Sequence, residues 1–246
     1  METAEYIDYV ESEGHALGGA AKTAGFDAAV PTCPGWTVTE LLRHVSFVHQ
    51  WAARYVRDAL TEMQPDAPEA EIISTGPSGD ELLASYEAGL TELVTALRNA
   101  PPNLECWSFM REGSPLDQWA RRQAHETTIH RADAERSAHL DVTAVPTPFA
   151  LDGIDELLAG FWGRELRDER QLTIGIRLDD ADEQWAVDLS ETRAFGRRSP
   201  DVADVWTDAS ASDVYFALWH RAPLSHSARD ERPEWLNLWE RRGVRW

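Results

Sequence analysis

The chain is poor in lysine and cysteine and has no long apolar run. Cys33 and Cys106 are its only cysteines, too few for the disulfide framework of a small secreted domain. No stretch approaches the ~20 apolar residues of a membrane span, and the acidic start Met1-Glu2-Thr3-Ala4-Glu5 lacks the basic and apolar regions of a signal peptide. A cytoplasmic location and no membrane partner are therefore expected. Lys22 is the single lysine, and the net charge is −20. Nucleic-acid binding needs a basic surface and is not expected. An anionic substrate would need local arginines to overcome the acidic field. Also missing are a Gly-rich phosphate loop, a dinucleotide fingerprint and a strand–nucleophile–helix elbow.

What is present is ordinary globular stuff: 246 residues, 43% hydrophobic and 27% charged. The first half reads as four helices. Tyr6, Tyr9, Val10 and Leu17 recur at helical spacing in the first, which ends near Gly25. Pro31-Thr32-Cys33-Pro34-Gly35-Trp36 then makes a rigid turn. Thr37 with Glu40 is a capping box that starts a second helix running to about Leu60. A loop rich in proline and glycine is expected from Gln64 to Gly79. The third helix, from about Asp80 to Asn99, carries Leu82, Leu83, Tyr86, Leu90, Leu93, Val94 and Leu97, and Pro101-Pro102 ends it. Ser114 and Pro115 open the fourth, which extends to about His139.

Four such helices form a four-helix bundle most economically. Beyond a linker holding Pro146 and Pro148, the pattern changes to strands. Leu172–Leu178 alternates, Gln184–Leu189 follows an acidic turn, and Val202–Thr207 is a third strand. Helices are expected at Ser210–Arg221 and Pro233–Arg242. The expected class is α+β, with a bundle over residues 1–140 and a smaller α+β domain over 149–246, in a monomer.

The informative residues are polar ones on faces that should be buried. His125 and His130 suggest a zinc-protease helix motif, but they are five apart and diverge by roughly 140° around a helix. Glu126 and His130 are four apart and share a face. On the second helix His44 lies in the middle of a stripe made by Leu41, Val45, Val48, Trp51, Ala52 and Tyr55, whereas His49 points about 140° away. On the fourth, Trp119, Gln123, Glu126, His130, Asp133 and Ala134 share one face. Facing helices of a bundle are a known setting for metal sites. Two imidazoles and a carboxylate from His44, Glu126 and His130 would leave a fourth zinc position for water or substrate. Asp133 or Gln123 could orient a ligand. A plain alternative stands beside this: a satisfied core histidine, and a Glu126 paired with Arg122 or Arg131 in solvent. Cys33 and Cys106 read as packed structural thiols, and most of the 11 tryptophans as core.

The run Val30-Pro31-Thr32-Cys33-Pro34-Gly35-Trp36-Thr37-Val38 with Leu41-Leu42-Arg43-His44, and the later Arg122-Gln123-Ala124-His125-Glu126 with Ile129-His130-Arg131-Ala132-Asp133-Ala134, resemble the mycothiol-dependent maleylpyruvate isomerase family. That resemblance implies a DinB-like four-helix bundle with a small α/β carboxy-terminal domain. It implies a divalent metal, typically zinc, on His44, Glu126 and His130, with mycothiol as thiol cosubstrate. A Trp-Gly-Arg run of the family is only partly matched by Trp219-His220-Arg221, where Arg221 is the candidate for holding a carboxylate of a small-molecule substrate or of the thiol. The expected function is a metal-dependent enzyme that activates a low-molecular-weight thiol, as an isomerase or an S-transferase. A non-catalytic binding module stabilised by its metal is the alternative. Structural zinc sites are usually closed by four protein ligands, and only three good ones are visible.

Overall fold

The computed structural model describes residues 1–65, 69–109, 113–161, 172–189, 194–198 and 205–222. Its contacts divide into two compact units, Met1–Thr143 and Ala144–Trp246.

The first unit is a four-helix bundle of α1 (Thr3–Ala24), α2 (Val38–Arg57), α4 (Gly79–Asn99) and α5 (Pro115–Ser137). Each long helix packs on two others, in the cyclic order α1, α5, α2, α4. The helix starts follow their sequence signals. At α2 the Thr37 N–H donates to the Glu40 carboxylate at 2.7 Å, closing the capping box. At α5 the Asp117 N–H donates to Ser114 Oγ at 3.1 Å, with Pro115 in the first turn. Leu82, Tyr86, Leu90, Leu93, Val94 and Leu97 of α4 are all buried. At Gly14 a β-carbon would lie 2.5 Å from the Leu90 side chain, so glycine lets α1 and α4 approach closely.

One element departs from the expected loop at 64–79. A short helix, α3 (Glu69–Ser74), lies within it. Arg43 holds the end of this helix and the segment after it, donating to the carbonyls of Ile73, Gly76 and Pro77 at 3.0–3.1 Å.

Between α1 and α2 the backbone doubles back. The Val30 N–H donates to Trp36 O at 2.9 Å, and the Val38 N–H to Ala28 O at 2.9 Å. Gly35, at φ 89, supplies the left-handed conformation that the return needs. The tip, Pro31 to Pro34, is thereby fixed as a projecting turn.

The second unit is α+β. It opens with α6 (Thr147–Asp155), which runs into a π-helical turn at Glu156–Phe161. The linker expected up to Pro148 is without regular structure from Leu140 to Pro146 and then gives way to α6, with Pro146 and Pro148 at the amino-terminal end of the helix, where a missing N–H costs nothing. Strands β1 (Leu172–Leu178), β2 (Gln184–Leu189), β3 (Ala194–Arg198) and β4 (Val205–Ala209) form a sheet in the order β3-β2-β1-β4. β1 and β2 are antiparallel, with Ile174 opposite Val187, and β1 and β4 are parallel. β3 was not expected from the sequence. Helix α7 (Ala211–Leu218) follows β4, and its Tyr215 packs edge-on against Phe149 of α6. The helix expected at Pro233–Arg242 lies outside the described residues, as does the first part of the expected strand at Val202–Thr207. Among the described residues no helix is long and apolar enough to cross a membrane.

Candidate metal centre

The inner face of α5 carries the chemistry. Arg122, Gln123, Glu126, His130 and Asp133 are all buried on it, where apolar residues would give the cheaper core. Opposite them, α2 brings His44, also buried. His44 Nε2 lies 3.1 Å from Glu126 Oε1, and His130 Nε2 lies 3.2 Å from the same oxygen. The two imidazole rings meet edge to face, 4.8 Å apart. Ligand atoms of His44, Glu126 and His130 all fall within 4.8 Å of one another. The i, i+4 spacing on α5 puts Glu126 and His130 in register, and the α2–α5 contact supplies the third group.

The electrostatics fit a cation. Burial, the largest single influence on Glu126, pushes its carboxyl upward. The bonds from His130 and His44 and the Arg122 guanidinium together outweigh burial and hold it well below the usual carboxylate range. Arg122 Nη2 donates to Glu126 Oε2 at 2.7 Å, leaving Oε1 to face the two imidazoles. His130 Nδ1 is 2.9 Å from Asp133 Oδ2. Both ring nitrogens of His130 thus face carboxylates, Nδ1 that of Asp133 and Nε2 that of Glu126. With a cation between Nε2 and Oε1, Nδ1 would carry the hydrogen and Nε2 would present its lone pair to the ion. A carboxylate behind a metal-binding imidazole is the usual way to fix its tautomer and orientation. Two imidazoles and a carboxylate, charged and dry, form a donor set that suits a divalent ion such as zinc.

The other sequence candidates sort around this trio. Trp36 tilts over His44 at 5.2 Å. His49 is turned away, bonding Thr127 Oγ1 at 2.9 Å and resting on Tyr86. Burial pulls its pKa down to about 3, so it is a neutral core imidazole. His125 is buried on another side of α5, against Tyr6. Gln123 is buried, and its Oε1 has no hydrogen-bond partner among the described residues. Of the two arginines considered for Glu126, Arg122 takes that role in the interior. Arg131 instead binds Glu13 at 2.7 Å and Glu135 at 2.6 Å, tying α1 to α5. Cys33 is buried and donates to Asp133 Oδ2 at 3.5 Å, while Thr32 donates to Oδ1. Those contacts span about 100 residues of chain, and no spacing in the sequence signals them.

Arg221 belongs to the second unit. It follows α7 rather than lying on it, is buried, and donates from Nη1 to the Trp219 carbonyl at 2.8 Å.

Residues 10–135 match the family model described as the mycothiol maleylpyruvate isomerase N-terminal domain. The chain belongs to that family. Two crystal structures titled as the mycothiol-dependent maleylpyruvate isomerase resemble it over its whole length. One, a histidine-to-alanine mutant, superposes with a TM-score of 0.72 at 15% identity, covering 100% of this chain and 98% of the other. The second gives 0.70 at 13% identity with the same coverage. At such identities the likeness establishes a shared fold. Among curated proteins none matches the sequence.

Proposed function

We propose that this chain is a metal-dependent enzyme that activates a low-molecular-weight thiol, mycothiol, for addition to an electrophilic small molecule. The observation that carries this reading is the convergence of His44 Nε2, Glu126 Oε1 and His130 Nε2 inside the bundle. Membership of a family named for mycothiol and maleylpyruvate supports the choice of thiol. His44, Glu126 and His130 would hold the divalent ion, with zinc favoured by the donor set. When bound, that ion supplies positive charge that favours the thiolate form of a thiol.

The chain's own groups set up the reaction. Arg122 balances the second oxygen of Glu126, and Asp133 fixes the tautomer of His130. Trp36 gives His44 an apolar cover. The chemistry then follows from the electrophile. With a cis-enoyl keto acid, the thiolate sulfur adds to the alkene carbon and the π electrons move toward the carbonyl. Rotation about the new single bond and expulsion of the thiolate return a trans alkene and the unchanged thiol. With an electrophile that carries a leaving group, the carbon–sulfur bond persists and the enzyme is an S-transferase. Arg221 is the residue proposed to hold a carboxylate of the substrate or thiol, since its planar fork meets a carboxylate bidentately.

The test follows maleylpyruvate absorbance with metal-loaded protein, with and without mycothiol. Loss of absorbance only with the thiol supports the isomerase. No turnover at saturating thiol and zinc, together with a thioether conjugate seen by mass spectrometry against other electrophiles, assigns the transferase. Neither activity in metal-loaded protein would sink the reading. Arg221→Ala should cost ten- to hundredfold in kcat/KM, the value of about 1.5–3 kcal/mol for a charge-assisted bond, with metal content unchanged.

A further inference from the structure

Asp133 is fully buried, and a carboxylate in that position is costly unless donors surround it. Its donors come from two directions. His130, one turn back on α5, occupies Oδ2 through Nδ1 at 2.9 Å. The turn before α2 supplies two more: the Thr32 hydroxyl on Oδ1, and the Cys33 thiol on Oδ2 at 3.5 Å. The turn is itself held by backbone bonds, Cys33 N–H to Val30 O at 3.1 Å and Trp36 N–H to Cys33 O at 3.0 Å. The carboxylate is therefore gripped by a rigid loop on one side and by an imidazole on the other.

We propose that Thr32, Cys33 and Asp133 form a positioning clamp that preorganises His130 Nε2 for the metal. This rests on reading His44, Glu126 and His130 as metal ligands. With Asp133 accepting the Nδ1 hydrogen, the Nε2 lone pair is left for the ion that His44 and Glu126 would share. Thr32 and Cys33 stop the carboxylate from turning about its χ angles, which would release Nδ1 and let the ring rotate. The turn thus acts on the site through two hydrogen bonds, and Cys33 contributes as a neutral thiol donor rather than as a nucleophile or a ligand. The Thr32-Cys33 step and the Asp133 position are far apart in sequence yet belong to one device.

The full-length metal-free protein tests this by zinc titration against a chromophoric chelator, by 15N NMR of the His130 ring, and by cobalt spectra. Asp133→Asn should weaken zinc binding ten- to hundredfold, the usual effect of losing a partner behind a ligand, and shift the His130 tautomer away from Nδ1–H. Thr32→Val and Cys33→Ala should each weaken binding less, and the double variant should approach Asp133→Asn. Thr32→Ser and Cys33→Ser, which keep a donor, should bind as the wild type does. If the Thr32, Cys33 and Asp133 variants melt lower but bind zinc with unchanged affinity and keep the tautomer, the clamp is only a structural tie and the proposal fails. A thiolate-to-cobalt absorption band that disappears in Cys33→Ala would also overturn it, by making Cys33 a ligand. A wild type that binds no metal would instead defeat the reading of the trio. The tautomer of His130 in the metal-free protein would still decide whether Asp133 and its donors position the ring.

Discussion

Helices α4 and α5 are of similar length and belong to one bundle, yet they differ in what they bury. α4 buries Leu82, Tyr86, Leu90, Leu93, Val94 and Leu97. α5 buries Trp119, Ile129 and several alanines, and beside them Arg122, Gln123, His125, Glu126, His130, Arg131, Asp133 and Glu135. Apolar burial of the α4 kind stabilises by about 1.5–3 kcal/mol per large side chain. The buried charges of α5 gain no such transfer energy and need partners to be tolerated at all. Its side chains find those partners in one another, in His44, in the turn at Thr32 and Cys33, and in Glu13 of α1. The α4 wall is apolar throughout, whereas the α5 wall combines apolar packing with a network of buried charges.

Substitutions on the two walls should therefore fail in different ways. The largest effect belongs to α2 and α5. His44→Leu removes a ligand and fills the space with an apolar group, so metal retention and thiol-dependent turnover should fall by orders of magnitude. The metal-free variant also leaves the buried Glu126 carboxylate one partner short, so it should melt below the wild type, to an extent limited by the remaining partners Arg122 and His130. Calorimetry of both metal-free proteins checks this, and an unchanged melting temperature would show that His44 does not support Glu126 without the ion.

On α4 the expectation reverses. Leu93→Ala should cost about 2–5 kcal/mol by cavity formation, read from denaturant unfolding, with the zinc affinity of the folded fraction unchanged. A metal affinity that fell in step with stability would show that the walls are coupled.

His49 offers a subtler probe, since it is a polar group of α2 that stays outside the trio. Its folded pKa, about 3, lies below the 6.5 of the free imidazole, so the unfolded chain takes up the proton first. The stability it contributes as a neutral ring is complete above pH 6.5 and is lost progressively as pH falls toward 3. Relative to His49→Asn, wild-type stability should drop by about 2 kcal/mol between pH 7 and pH 5. Parallel pH profiles for the two proteins would contradict a buried neutral His49. The smallest effect is at the α2 cap, where Thr37→Ala should cost about 1 kcal/mol and leave metal binding alone.

The sequence was most legible where local chemistry and periodicity coincide. The capping box at Thr37 and Glu40 marks the start of α2, and Ser114-Pro115 marks that of α5. The 3.6-residue period singled out His44, Glu126 and His130 and set His49 and His125 aside, as the geometry also does. Alternation picked out β1. Elements without such signals were missed. α3 is six residues inside a stretch rich in proline and glycine. β3 reads Ala-Phe-Gly-Arg-Arg, with no alternation and a glycine at its centre. α6 is hard to see in the sequence because proline reads as a helix breaker, whereas Pro146 and Pro148 stand at the start of this helix. The grip of Thr32 and Cys33 on Asp133 joins distant parts of the chain, and only the packing of the turn against α5 produces it.

If three buried side chains hold one divalent ion, elemental analysis of the metal-reconstituted, dialysed protein shows it most directly. One ion per chain is expected in the wild type and essentially none in His44→Ala or His130→Ala, each still folded by circular dichroism. Stoichiometric metal in those variants, or none in the wild type, would contradict it.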